Sequence, residues 1–154
     1  MNQIGPCTQR FQLKVLIPGK PVPKARPRLG RGRTYTPKPT VDYESTVGMY
    51  ANVAMRDAGL KCTTQPLRVV MNLAMPIPKW WAKATRANAV AGHIYPTTGA
   101  DSDNLAKSVL DGLQKIVFDN DAQVVELHVF KAYGLNPGAA VLIEALQETV
   151  GMVA

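Results

Sequence analysis

Apolar residues at Phe11, Leu13, Val15 and Ile17 alternate with Gln12, Lys14 and Leu16, the two-residue period of a strand with one buried face. The run stops at Pro18-Gly19. Residues 18–40 then hold six prolines and three glycines among seven basic residues, which excludes a helix or a central strand and predicts an exposed, semi-extended loop. Beyond it the period lengthens to 3.6. Tyr43, Val47, Tyr50, Ala51, Ala54 and Ala58 share one helical face, with Thr40 as the cap, Asp42 and Glu44 in the first turn and Gly59 as the stop. Leu67, Val69, Met71, Leu73 and Met75 return to alternation, a second strand closed by Pro76 and Pro78.

Residues 79–90 favour helix, with the Trp80-Trp81 pair near its beginning, and 92–100 read as loop. Asp103 can cap the next helix, on which Leu105, Val109, Leu110, Leu113, Ile116 and Val117 recur at helical spacing. After a turn at Asp119-Asn120-Asp121, strands over 124–133 and 139–146 flank the Asn136-Pro137-Gly138 turn. The order strand, helix, strand, helix, helix, strand, strand predicts an α/β (α+β) fold, a small mixed β-sheet packed with helices. The length of 154 residues suits a single domain over 1–154, in which 18–40 is a basic proline-rich loop.

Charge adds a partner to this picture. A net charge of +7 and a pI near 9.6 predict a polyanionic one, but the average conceals an asymmetry. Residues 1–40 carry nine basic residues and no acid, whereas 101–126 carry six acids against two lysines. No apolar run approaches the roughly 18 residues of a membrane span, and the first ten residues lack the features of a signal peptide, so a cytoplasmic chain is expected. Cys7 and Cys62 form no C-x-x-C and lie near no histidine pair, and His93 and His128 are far apart; ordinary reduced thiols are expected rather than a zinc site or disulfide framework.

The acidic segment is where chemistry concentrates. Asp101 and Asp103 lie two apart just before a helix, so an extended backbone points both side chains the same way. Lys107 follows one helical turn after Asp103, and the turn bearing Asp121 lies where a return of the chain can bring a third carboxylate alongside. Hard oxygen ligands beside a lysine suit metal-assisted phosphodiester hydrolysis, in which divalent cations neutralise phosphate and activate water. Spacing alone favours the plainer reading of a helix cap and a solvated ion pair. An EF-hand fails, because Ala106 stands at the sixth loop position and Gly112 at the twelfth.

The run Asp101-Ser102-Asp103-Asn104-Leu105-Ala106-Lys107, followed by Asp111-Gly112-Leu113 and Asp121-Ala122-Gln123-Val124, resembles the D-x-D-N-L-x-K-x-x-x-D-x-L…D-x-Q-V signature of the RusA family of Holliday junction resolvases. Pro21-Val22-Pro23-Lys24-Ala25-Arg26-Pro27-Arg28 and Tyr35-Thr36-Pro37 are similar to the N-terminal segment of phage and prophage members. The likeness spans roughly residues 13–131. It implies a homodimeric, Mg²⁺-dependent crossover junction endodeoxyribonuclease, with Mn²⁺ as an alternative ion. Such an enzyme resolves four-way DNA junctions by paired nicks during recombination and repair in a bacterial or phage-infected cell. Carried over residue by residue, the resemblance makes Asp101, Asp103 and Asp121 metal-binding and catalytic, and Lys107 the catalytic lysine. Asn104 and Asp111 become candidates for a supporting role. Members often carry a basic residue and Pro before the first Asp, where this chain has Gly99-Ala100, and two adjacent acids where it has Asn120-Asp121. Asp119 is the candidate to replace the missing charge.

The basic arm is assigned to DNA phosphates through Lys20, Lys24, Arg26, Arg28, Arg31, Arg33 and Lys38, its prolines keeping it extended. The Trp pair is read as core or dimer interface in preference to base stacking. Two other functions compete: a non-catalytic basic DNA-binding module, and a metal nuclease without junction selectivity.

Overall fold

The computed structural model describes residues 10–147. In it the strands β1 (Gln12–Pro18), β4 (Leu67–Pro76), β5 (Val124–Gly134) and β6 (Gly138–Ala145) form one mixed sheet in the order β1-β6-β4-β5. The short β5–β6 connection, residues 135–137, passes over the end of β4, so β6 does not pair with β5 but inserts between β1 and β4, antiparallel to both. β4 and β5 pair in parallel because the helices α2 (Lys83–Val90) and α3 (Ser102–Leu113) intervene and carry the chain back. The long helix α1 (Lys38–Ala58) joins β1 to β4 by way of the arm. The α+β architecture anticipated from the strand and helix periods is thus the one adopted.

The alternation along the chain sets the two faces of the sheet. Leu13, Val15 and Ile17 of β1, Val69, Met71 and Leu73 of β4, and Val141 and Ile143 of β6 are all buried on one face. They pack with Tyr43, Val47 and Ala51 of α1 and Leu105, Val109 and Leu113 of α3 into one core. α1 and α3 cross closely where Gly112 meets α1. A Cβ at Gly112 would lie 2.7 Å from Val47 Cβ and 2.9 Å from the Glu44 carbonyl, so only glycine admits this approach. The Tyr43 phenol is buried without a hydrogen-bond partner, and burial pushes its pKa up to about 12.

Four local expectations require correction. α1 begins at Lys38 with Pro37 at the N-cap, not at Thr40, because the Pro37 carbonyl already accepts from the Thr40 and Val41 amides. The 79–90 segment becomes helical only at Lys83. α3 is preceded by Asp101 at the N-cap, with Asp103 inside its first turn, and it ends at Leu113; Lys115 at φ 70° breaks the helix before Ile116 and Val117. The arm is not wholly a loop. β2 (Arg28–Gly30) and β3 (Arg33–Tyr35) form a hairpin whose two-residue turn, Arg31-Gly32, has positive φ at both positions, the I′ geometry that matches strand twist. Cys7 lies outside the described residues; Cys62 is an exposed free thiol.

Candidate functional site

The site is built on α3 and on the chain that returns beside it. Asp101 is extended (φ −72°, ψ 145°) and Asp103 helical, so the two side chains are not aligned by a shared extended backbone as their spacing suggests. Both carboxylates are exposed, and among the described residues neither takes part in an ion pair. Asp101 makes no capping hydrogen bond from its side chain, which leaves its oxygens available to another ligand. Gly99, at φ +88°, turns the chain into α3 in a conformation that L side chains rarely adopt. Beside it, Lys131 Nζ of β5 donates to the Ala100 carbonyl at 2.9 Å. A cation from β5 is therefore held at the residue that precedes the first aspartate.

Lys107 projects from the middle of α3. Its ammonium lies 2.8 Å from Asp111 Oδ1 one turn on, and 2.6 Å from Asp121 Oδ2 on the 3-10 turn Asp121–Gln123. The return of the chain thus brings Asp121 to the lysine. Among the described residues, no three Asp, Glu, His or Cys side chains converge as a group able to hold a metal. Asp101, Asp103 and Asp121 accordingly do not meet as a ready cluster, since Asp121 faces the Lys107 ammonium. The donor chemistry still fits a hard divalent cation: two unengaged carboxylates and a third held only by a long, flexible lysine side chain, all at the protein surface.

Asp111 continues the arrangement. Its other oxygen, Oδ2, lies 2.8 Å from Lys24 Nζ, which also donates to Glu44 Oε1 of α1 at 2.6 Å. A ladder of alternating charge, Glu44–Lys24–Asp111–Lys107–Asp121, therefore runs from α1 through the arm to the start of β5. The pKa of Lys107 is raised by its bonds to Asp111 and Asp121, which outweigh partial burial. Burial works against charge on Asp111, yet Lys107 and Lys24 hold its carboxyl below the usual range. Burial likewise opposes charge on Lys24, and Asp111 and Glu44 raise its pKa regardless.

The other candidates separate cleanly. Arg26, Arg28, Arg31, Arg33, Lys20 and Lys38 are exposed, and Lys38 pairs with Asp42 at 2.6 Å. Lys24 is the exception within the arm, half-buried on two carboxylates. Asn104 accepts from the Lys24 amide through its backbone carbonyl at 2.8 Å, so it supports the site through main chain. Asp119 pairs with Lys115 at 2.7 Å and does not join the ladder. Asn120 accepts from the Ala122 amide and its own amide donates to Gln123, a capping box that shapes the turn presenting Asp121. Trp80 is 84% exposed, which removes it from the core, while Trp81 packs edge-on against Tyr133 at 5.2 Å. By sequence Glu44 is no more than a first-turn acid, and its place in the ladder goes unseen. The one signal for it is Gly112, which marks the close approach of α1 to the residue after Asp111.

Residues 18–144 match the family described as Endodeoxyribonuclease RusA. A protein of Bacillus subtilis (strain 168), named Uncharacterized protein YqaN, is 30% identical over 137 residues, covering 85% of this chain and 94% of its own length. With the motif residues carried on α3 and its returning turn, and the match covering most of the sequence, the chain belongs to the RusA family of endodeoxyribonucleases, the Holliday junction resolvase type.

Proposed function

We propose that the chain is a divalent-cation-dependent endonuclease that resolves four-way DNA junctions by paired, symmetric nicks. The observation that carries this reading is the pairing of two unengaged aspartates at the start of α3 with a lysine of the same helix seated on Asp121. Asp101, Asp103 and Asp121 would hold the ion, Mg²⁺ or Mn²⁺; when bound, it supplies neutralisation of the phosphate and activation of water. Lys107 donates to the phosphate oxygens on which charge develops, and its ties to Asp111 and Asp121 limit the reorganisation this requires. The exposed arginines of the hairpin lie outside this centre and are free to grip phosphates.

Paired nicks call for two related active sites, which a closed two-fold dimer provides. The face of the sheet opposite α1 and α3 supports this partner. Leu16 and Phe130 are exposed there, beside Ala74, Ala132 and Ala140 in a shallow apolar groove. Of the charges on the same face, Arg68 is paired with Glu126 at 2.6 Å and with Glu144 at 3.8 Å, and Lys14 of the edge strand is exposed. An apolar patch whose neighbouring arginine is already held by two glutamates suits a second copy of itself better than DNA.

The test compares a synthetic four-way junction with linear duplex, each with Mg²⁺ and with EDTA. Symmetric nicks on the junction alone, lost in EDTA, are expected. Equal cutting of duplex would indicate a nuclease without junction selectivity, and binding without cleavage under every metal condition would indicate a non-catalytic module. Asp103→Asn should abolish cleavage while leaving junction binding intact or tighter; normal cleavage by this variant would overturn the assignment.

A further inference from the structure

Lys24 sits in a stretch of chain held far more tightly than the rest of the arm. Its amide donates to the Asn104 carbonyl of α3 at 2.8 Å. Two residues before it, the Val22 carbonyl accepts from Ser108 Oγ of α3 at 2.5 Å. The next amide, Ala25, donates to Thr40 Oγ1 at 3.2 Å, and that hydroxyl in turn donates to the Pro23 carbonyl at 3.3 Å. Besides the Tyr43 phenol, Thr40 and Ser108 carry the buried hydroxyls in the described part of the core, and both act on this strap. Buried hydroxyls left without such partners would be costly, so the strap and the two helices are mutually required.

The side chain is as constrained as the backbone. Lys24 Nζ bridges Glu44 and Asp111, and Asp111 has both oxygens engaged, one by Lys24 and one by Lys107. A lysine that contacts phosphate must present its ammonium to solvent, and the Lys24 side chain is only 26% exposed, against 83% for Lys38 of the same arm. Removing Lys24 would free one Asp111 oxygen, let that carboxylate rotate, and loosen the Lys107 ammonium from its place beside Asp121.

We propose that Lys24 is a positioning residue: through Asp111 it fixes Lys107 at the cleavage centre, and so couples the DNA-gripping arm to the catalytic helix. This rests on the nuclease reading for the role of Lys107, not for the ladder itself. Residues 25–27 alone separate Lys24 from the hairpin that begins at Arg28, so a pull on Arg26 or Arg28 by bound DNA reaches the ladder through a short stretch of chain.

Single-turnover cleavage and equilibrium binding of a synthetic four-way junction separate the roles. Lys24→Met should lower the cleavage rate about 10- to 100-fold, the order found when a partner that orients a site group is lost. Junction affinity, and the slope of log affinity against log salt, should not change. Lys24→Arg, which can still bridge two carboxylates, should recover most of the rate. A lowered affinity with a slope flattened by about 0.9 and an unchanged rate would overturn the proposal and make Lys24 a phosphate contact. The ladder is read independently by chemical unfolding. Lys24→Met and Lys107→Met should be non-additive in the wild type and additive in an Asp111→Asn background. Additivity in both backgrounds would overturn the proposal even for a chain that cuts no DNA, whereas an inactive wild type with the expected coupling would overturn only the nuclease reading. If Lys24→Met fails to fold, Glu44→Gln, which removes only the outer partner of Lys24, should give a smaller rate loss at unchanged affinity; an unaltered rate would overturn the coupling.

Discussion

Asp111 shows how one side chain can carry both meanings available from the sequence. As a residue two helical turns after Asp103 it is either a support for the site or a solvated helix-face acid; in three dimensions it is the bridge between two lysines. Its carboxyl pKa lies below the ordinary value, so the ionised form is favoured more in the folded than in the unfolded chain. The associated stability is complete above the ordinary carboxylate value of about 4 and is lost as pH falls through the lower native one. Asp111→Asn should therefore be less stable than the wild type at pH 7, with a difference that shrinks below about pH 4. Denaturant unfolding at a series of pH values checks this, and a difference independent of pH would argue against the ladder. Sequence groups Lys24 with the DNA-contacting cations, because charge and neighbouring prolines are all that it offers there. The two carboxylate partners, Glu44 and Asp111, come from α1 and α3, too far along the chain for any local pattern to reveal them.

At the scale of elements, the arm divides where its prolines and glycines do. The strap from Pro21 to Ala25 buries or half-buries every residue, while Arg26 to Tyr35 is exposed except for Gly30. Arg31-Gly32 supplies the positive φ angles that a tight hairpin needs, and Gly30 leaves room for the Tyr35 ring, which a Cβ there would meet at 2.9 Å. The basic, proline-rich composition points to an extended loop and conceals the hairpin, since such short strands carry too little of a period-two signal. Presented on this hairpin, Arg28, Arg31 and Arg33 are all exposed to solvent. Changing all three to Gln should flatten the salt dependence of junction affinity by about 0.9 for each phosphate that the variant no longer neutralises. Fluorescence anisotropy across a salt series measures it, and an unchanged slope would remove the hairpin from the interface. α3 illustrates the opposite outcome. Its apolar spacing specifies a helix that the fold adopts, and only its bounds differ, with Asp101 rather than Asp103 at the N-cap and an earlier end. Ile116 and Val117 continue the apolar pattern, but Lys115 leaves the helix and the Lys115 amide closes a turn onto the Phe118 carbonyl.

At the scale of the molecule, the packing of α1 and α3 on one face of the sheet leaves the other face open, with an apolar end built from β1, β4, β5 and β6. Phe130→Glu should convert the expected dimer to a monomer in sedimentation velocity without lowering the thermal midpoint by more than a surface substitution does. A monomeric wild type, or a variant that remains dimeric, would move the interface elsewhere. No helix of the described residues is long and apolar enough to cross a membrane. The charge asymmetry acquires a spatial meaning at this scale as well. Among the described residues the arginines of the exposed hairpin make no ion pair with the acidic centre, while the strap is threaded into the ladder, so positive and negative segments are joined through Lys24 rather than merely added.

The sequence by itself determined the long strands and helices and their buried faces, though not the short β2–β3 hairpin, because periods of 2 and 3.6 are properties of the local backbone. It also determined the family, because the aspartates, Asn104 and Lys107 occupy a short, specific spacing on one helix and the turn that follows it. Tertiary structure alone decided which carboxylate each lysine meets, that β6 enters between β1 and β4, and that Asp101 and Asp103 stand unengaged while Asp121 is held. Those outcomes depend on contacts between segments tens of residues apart, set by helix packing at Gly112 and by the strap's bonds to Thr40 and Ser108, and no local pattern encodes them.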